Sequence, residues 1–179
     1  MGLRIINKRK DGYHNINSLF VELNLYDTIS FSPSDTFSLS TNFPDLPIDD
    51  SNLVTKAYNL LHSYKTKSAP EYTIHVEKKI PMGSGLGGGS SNAATTLKAL
   101  NQLWECGYDN ENLCKIGISL GADVPFFIKG GVQLIEGIGD ILTPMDYALL
   151  KEYSFLLVVP PIHISTPWAY NALNKTLQP

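Results

Sequence analysis

The residues best suited to chemistry lie in one run, Pro81-Met82-Gly83-Ser84-Gly85-Leu86-Gly87-Gly88-Gly89-Ser90-Ser91-Asn92-Ala93-Ala94. Five glycines within residues 83–89 remove Cβ atoms, so the backbone can turn tightly and approach a ligand closely. An amphipathic segment follows at once, with Ala93, Leu97, Leu100 and Trp104 on one stripe. The free N–H groups and positive dipole end of such a helix suit a phosphate. Ser90 and Ser91 stand where a hydroxyl could touch phosphate oxygens or a Mg²⁺ ion. A flexible linker is the bland alternative, but a linker would not run into so regular an apolar stripe.

Among phosphate motifs, the run is not a Walker A loop, because no Gly-Lys-Ser/Thr follows. It formally matches G-x-G-x-x-G at Gly83, Gly85 and Gly88. A dinucleotide fold would place a buried parallel strand before it and another strand after the helix, ending in an acidic residue. Here the preceding segment, Thr73 to Ile80, alternates through Ile74 and Val76, and the helix leads through Gly107 into another helix. Asp109 has the right offset and the wrong context.

The elements that position this loop can be read from periodicity. Leu3–Ile6 is a short strand, and Asn7–Gly12 a turn ending in Asp11-Gly12. Leu19, Val21, Leu23 and Leu25 alternate with Phe20, Glu22 and Asn24, which predicts a half-buried strand with Phe20 on the opposite face from Leu19 and Val21. Ile29 and Phe31, then Phe37 and Leu39, predict further strands; residues 42–50 are a loop. A helix capped by Asp50 or Ser51 would carry Leu53, Ala57, Leu60 and Tyr64 on one face. Leu113, Ile116 and Leu120 mark a third helix. Phe126–Ile128 and Val132–Ile135 straddle Gly130-Gly131 as a hairpin, Tyr153–Val159 is a strand, and Pro167–Leu173 is helical. Strands in runs, then helices, then strands again define an α+β class. Residues 1–150 form one domain, and residues 151–179 read as the start of a second, the alternative being a closing strand and helix of the first.

Composition bounds the partners. The chain has 179 residues, 43% hydrophobic and 17% charged, with a net charge of −3. Lys8-Arg9-Lys10 is its densest basic run and reads as a solvated turn, so no nucleic-acid partner is expected. Cys106 and Cys114 make no metal pattern and read as free thiols. No apolar run approaches a membrane span, and Ile6 stands where a myristoylation signal wants Ser or Thr. A cytoplasmic location is the expectation, with the oligomeric state open between monomer and homodimer. His62, His75 and His163 show no partner in the sequence and read as surface or packing residues.

The Pro81–Ala94 run resembles the second motif of the GHMP kinases, and more specifically the version in the 4-diphosphocytidyl-2-C-methyl-D-erythritol kinase family. Two other segments carry the same resemblance: Arg9, Asp11-Gly12-Tyr13-His14, Leu19-Phe20 and Asp27-Thr28-Ile29, and then Leu120-Gly121-Ala122-Asp123-Val124-Pro125. The resemblance implies a GHMP-kinase N-terminal domain, similar to the second domain of ribosomal protein S5, and the start of a ferredoxin-like second domain. It implies ATP and Mg²⁺ as cofactors, Pro81–Ser91 as the nucleotide loop, and a small cytidylyl substrate phosphorylated on its 2-hydroxyl in isoprenoid precursor synthesis. Asp123 is then the catalytic base; read alone it could equally be a structural Asp in a turn. Tyr13 and His14 become cytosine contacts, Phe20 closes their pocket unless it is core packing, and Tyr170 stacks on the base.

Members of that family begin with an Ala-Lys-Leu/Ile-Asn-Leu strand and carry a late glycine loop. The present sequence starts at Met1-Gly2-Leu3 and shows neither, so the expectation is a fragment or a product without catalysis, inactive alone. A non-catalytic nucleotide-binding module and another GHMP small-molecule kinase are the alternatives; Asp11-Gly12-Tyr13-His14 speaks against the latter.

Overall fold

The computed structural model describes residues 3–66, 68–160, 168 and 169. In chain order the elements are β1 (Arg4–Lys8), β2 (His14–Val21), β3 (Thr28–Ser34), β4 (Ser38–Thr41), α1 (Leu53–His62), β5 (Glu71–Glu77), α2 (Gly88–Leu103), α3 (Asn110–Gly117), α4 (Val124–Lys129), β6 (Val132–Glu136), β7 (Ile141–Pro144) and a 3₁₀ turn, Tyr147–Leu150. They form two sheets. One is antiparallel throughout, in the order β1-β2-β6-β7. In the other, β5 lies between antiparallel β3 and parallel β4.

Helix α2 is the centre of the core. Ala93, Leu97, Leu100 and Trp104 are all buried, as the stripe predicts. They pack with Ile74 and Val76 of β5, with Val54, Ala57 and Leu61 of α1, and with Val124 and Ile128 of α4. Trp104 meets the need of a buried indole by donating from Nε1 to the Pro70 carbonyl at 2.9 Å. A smaller cluster of Ile16, Phe126 and Ile135 fixes the four-stranded sheet beneath α4.

Several local expectations are corrected. Asn52, and neither Asp50 nor Ser51, caps α1: its side chain accepts from Val54 N at 2.8 Å. The buried stripe is therefore Val54, Ala57, Tyr58 and Leu61, an unbroken i, i+3, i+4, i+7 series, and Tyr64 is exposed. Strand β2 starts at His14 and buries His14, Ile16 and Ser18. That places Phe20 on the packed face, where its ring meets Phe126 edge-on at 5.3 Å. Residues 126–128 lie in a helix, not a hairpin strand; Pro125 sits in its first turn, where a missing N–H costs nothing. Tyr153–Val159 forms no strand: with no partner strand among the described residues, Leu156 and Val158 stay exposed. Residues 170–179 and the rest of the predicted last helix, except 168 and 169, lie outside the described residues, as does His163. His62 contacts Glu71 at 3.1 Å and His75 contacts Ser40 at 2.9 Å, so both have partners that local sequence did not reveal.

Candidate active site

The glycine run leaves β5 and enters α2 through three residues with positive φ, Gly83, Gly85 and Gly87, at 66°, 73° and 68°. A side chain at Gly87 is doubly disfavoured: besides its left-handed backbone, an added Cβ would lie 2.8 Å from the Phe127 ring. Gly87 takes the N-cap position of α2 and offers no side-chain cap, so the first N–H groups of the helix are not closed by a cap. The hydroxyls of Ser90 and Ser91 make no hydrogen bond to the described protein. Pro81 through Gly89 line a cavity of about 360 Å³ together with Leu46, Pro47, Ser51, Asn52 and Leu53. Ser90 and Ser91 lie just behind that lining, on the first turn of α2.

Under the loop lies a charged cluster that sequence reading missed. The Asp27 side chain is fully buried and its Oδ2 pairs with Lys78 Nζ at 2.6 Å. Oδ2 also accepts from Asn92 Nδ2 at 2.9 Å, while Oδ1 accepts from Lys79 N at 2.7 Å and Ile80 N at 2.8 Å. Burial alone would raise this carboxyl. The Lys78 ammonium, the two backbone N–H groups and the Asn92 amide outweigh it and hold the carboxyl below its usual range. Lys78 and Asn92 also line the cavity.

Asp123 stands at the N-cap of α4, and its side chain caps nothing. It has no hydrogen-bond or ionic partner among the described residues, and burial pushes its carboxyl above the ordinary value. The turn that carries it abuts the start of α2: a Cβ at Gly121 would lie 3.6 Å from Ser90 Oγ. The same turn meets the β6–β7 connection, where a Cβ at Gly139 would lie 3.6 Å from Ala122 Cβ. That connection in turn receives a hydrogen bond from Ile16 N to the Gly137 carbonyl, 2.8 Å. Through these contacts the glycine loop, the Asp123 turn and the start of β2 gather at one end of the molecule.

The start of β2 carries Tyr13 and His14. Tyr13 is 60% exposed and His14 is buried. Their turn is set by Asp11, which accepts from Arg9 Nε at 3.0 Å and from Tyr13 N at 3.2 Å, and by Gly12 at φ 89°. Phe20 is partly buried, and its ring packs against Phe126. Tyr170 lies outside the described residues. Among the described residues no group of three or more His, Cys, Asp or Glu could hold a metal, and no helix is long and apolar enough to cross a membrane.

Two antiparallel-rich sheets around α2, with a glycine loop opening that helix and an acid opening α4, have counterparts among known proteins. Residues 52–131 match the model of the GHMP kinases N terminal domain, and the chain carries that domain's fold. Over most of its length it is homologous to proteins named 4-diphosphocytidyl-2-C-methyl-D-erythritol kinase. It is 44% identical to the one from Hahella chejuensis, over 92% of this chain and 57% of the relative. The Thermodesulfovibrio yellowstonii protein of the same name is also 44% identical, over 96% of this chain and 59% of the relative. A crystal structure of 4-(cytidine 5'-diphospho)-2C-methyl-D-erythritol kinase superposes with a TM-score of 0.74 at 32% identity, covering 96% of this chain and 60% of that one. Methanococcus jannaschii mevalonate kinase, at 17% identity and a TM-score of 0.59, shares the fold. The chain thus spans somewhat over half the length of the relatives it matches.

Proposed function

We propose that this chain is the nucleotide-binding part of a small-molecule kinase that transfers a phosphoryl group from ATP to the 2-hydroxyl of 4-diphosphocytidyl-2-C-methyl-D-erythritol, a step of non-mevalonate isoprenoid precursor synthesis. One observation supports this most: the uncapped glycine loop and the Asp123 carboxylate, with no partner among the described residues, open neighbouring helices whose starts lie close, a Cβ added at Gly121 coming within 3.6 Å of Ser90 Oγ. Phosphoryl transfer needs little beyond positioning and charge stabilisation, and these two groups supply both. The loop's backbone N–H groups hold the nucleotide phosphates, with Pro81 through Ser91 as the cradle. Asp123 accepts the proton of the substrate hydroxyl as its oxygen attacks the terminal phosphorus and ADP departs. A carboxylate raised by burial is a better acceptor than an ordinary one.

Mg²⁺ fits this arrangement. It takes few protein ligands and several from phosphates, so the free Ser90 and Ser91 hydroxyls would hold it without a carboxylate cage. When bound it neutralises charge on the phosphates. Tyr13 and His14 would meet the cytosine, and residues from 151 onward would begin the second domain that completes the cleft. The present sequence shows neither the Ala-Lys strand nor the late glycine loop, so the chain by itself is expected to be inactive, and a non-catalytic nucleotide-binding module is the alternative reading.

Gly89 provides the test. It lies in the first turn of α2 and lines the cavity, and a Cβ there meets only Leu53 Cδ1 at the ordinary distance of 3.4 Å. In Gly89→Asp the carboxylate suits the helix dipole, adding about 0.3–1 kcal/mol to the fold, yet repels phosphates. The thermal midpoint should hold or rise while ATP affinity, measured by calorimetry, falls more than about tenfold, or about 1.4 kcal/mol. Unchanged ATP affinity would remove the loop as the phosphate site.

A further inference from the structure

The loop from Pro81 to Gly87 has two ends, and one buried side chain holds both. At its start, Lys79 N and Ile80 N donate to Asp27 Oδ1 at 2.7 and 2.8 Å. At its end, Asn92 of α2 donates to Asp27 Oδ2 at 2.9 Å. Lys78 Nζ, 2.6 Å from the same oxygen, lies directly beneath the first helical residue: a Cβ at Gly88 would come within 3.1 Å of it. Lys78 also donates to the Ile80 carbonyl at 2.7 Å, which closes the start of the loop on itself. Without Asp27, an ammonium would lie buried at the positive end of α2 with no counter-charge.

We infer that Asp27 is a positioning residue for the nucleotide: its carboxylate sets the span between the two ends of the glycine loop and so the aim of the loop's N–H groups at the phosphates. The inference rests on the nucleotide reading above. Asp27 does not line the cavity, whereas its partners Lys78 and Asn92 do. Its cost is the buried ion pair itself, a poor source of stability that fixes one arrangement among several. A loop with three left-handed glycines has many arrangements available when unconstrained. Tying it at both ends lowers the ordering cost of binding.

The test compares ATP with adenosine, which lacks the phosphates the loop would hold. In Asp27→Asn, of equal size, Oδ1 can still accept from Lys79 and Ile80, but the amide that replaces Oδ2 faces Lys78 and Asn92 donor to donor. ATP affinity should fall at least tenfold while adenosine affinity changes less than threefold, both measured well below the thermal midpoint. A merely structural role would lower both in proportion to the folded fraction. Asn92→Ala releases only the helix end, creates no unpaired charge, and should lower the ATP-to-adenosine preference by a smaller factor in the same direction; it carries the test if Asp27→Asn fails to fold. A wild-type chain that prefers ATP, with that preference intact in a folded Asp27→Asn or, failing that, in Asn92→Ala, overturns the inference alone. A wild-type chain with no preference for ATP over adenosine overturns the phosphate role of the loop and this inference together.

Discussion

Two carboxylates flank the glycine loop and their surroundings are opposite. Asp27 is enclosed by four donors, from Lys78, Lys79, Ile80 and Asn92, and its carboxyl is held below the usual range despite burial. Asp123 has no partner among the described residues, and burial raises its carboxyl. A buried charge with every partner in place defines geometry; a partly buried charge without partners is held ready for a ligand, at a cost to the fold. The far end of the molecule supplies a reference. Glu71 accepts from the Tyr58 hydroxyl and contacts His62 and Lys65, and although burial opposes it, these bring its carboxyl down to about 2. Partners alone thus separate the structural acids from Asp123.

The largest effect should come from breaking the satisfied pair. Lys78→Met leaves Asp27 buried with hydrogen bonds but no counter-charge, and truncating one member of such a pair costs about 3–5 kcal/mol. Urea denaturation followed by circular dichroism would show it as a lower midpoint at an unchanged slope. A loss below about 1 kcal/mol, the range of exposed pairs, would mean that the backbone N–H groups and Asn92 suffice for Asp27, and the contrast with Asp123 would weaken.

Asp123 should respond with the opposite sign. An acid whose folded pKa lies above its unfolded value contributes stability only while protonated. That contribution is present below the ordinary carboxylate range and is lost as pH rises through the folded pKa. At neutral pH the wild-type fold therefore bears the cost of a desolvated charge. Asp123→Asn removes that charge at equal size and should unfold at a higher temperature than wild type at pH 7. The gap should close below about pH 4, where the wild-type carboxyl is itself protonated. In the complete enzyme the same change should abolish turnover. Equal melting at pH 7 would mean that Asp123 is solvated and would remove the physical ground for its proposed role as base. Glu71, lowered to about 2, has the reverse profile: its contribution is complete above the ordinary range and fades as pH falls toward 2.

The two acids also differ in what the sequence reveals. The glycine loop and the α2 stripe were legible because glycine spacing and a 3.6-residue period are local signals, whereas Asp123 was singled out only by the resemblance of its segment to the kinase family. Asp27 and Lys78 were not legible as a pair. They lie 51 positions apart, and Asn92 is 65 positions from Asp27, so only the fold joins them. In the strand pattern Lys78 is one more polar residue after Glu77. The face of α1 was misjudged for a different reason: Leu53, Ala57, Leu60 and Tyr64 also make a helical stripe, and only the cap at Asn52 and the packing on α2 select the other one. Alternation in β2 left Phe20 open between pocket and core, and its contact with Phe126 was not legible because that residue lies on an element read as a strand. Short apolar runs such as 126–128 carry too few residues for a period to show.

The smallest effect on the fold should be at Tyr13, on the substrate side of the same end. Its ring is 60% exposed and has no ring contact with any described residue. What fixes the turn is backbone and Asp11: Arg9 N donates to the Tyr13 carbonyl at 2.7 Å, and Tyr13 N donates to Asp11 Oδ1 at 3.2 Å. Neither bond uses the ring, so Tyr13→Ala should melt within about a degree of wild type. An exposed ring that contributes nothing to folding is free to stack on a base. Removing such a platform costs about 1–3 kcal/mol per base, which is roughly 5-fold to 150-fold in affinity. The loss should fall on cytidine diphosphate compounds and leave ATP untouched, since the glycine loop lies on other elements. Calorimetric titration of Tyr13→Ala with both ligands decides it. Equal weakening of the two would place Tyr13 with Asp27 among residues that shape the site from behind, and unchanged binding of both would remove it from the site.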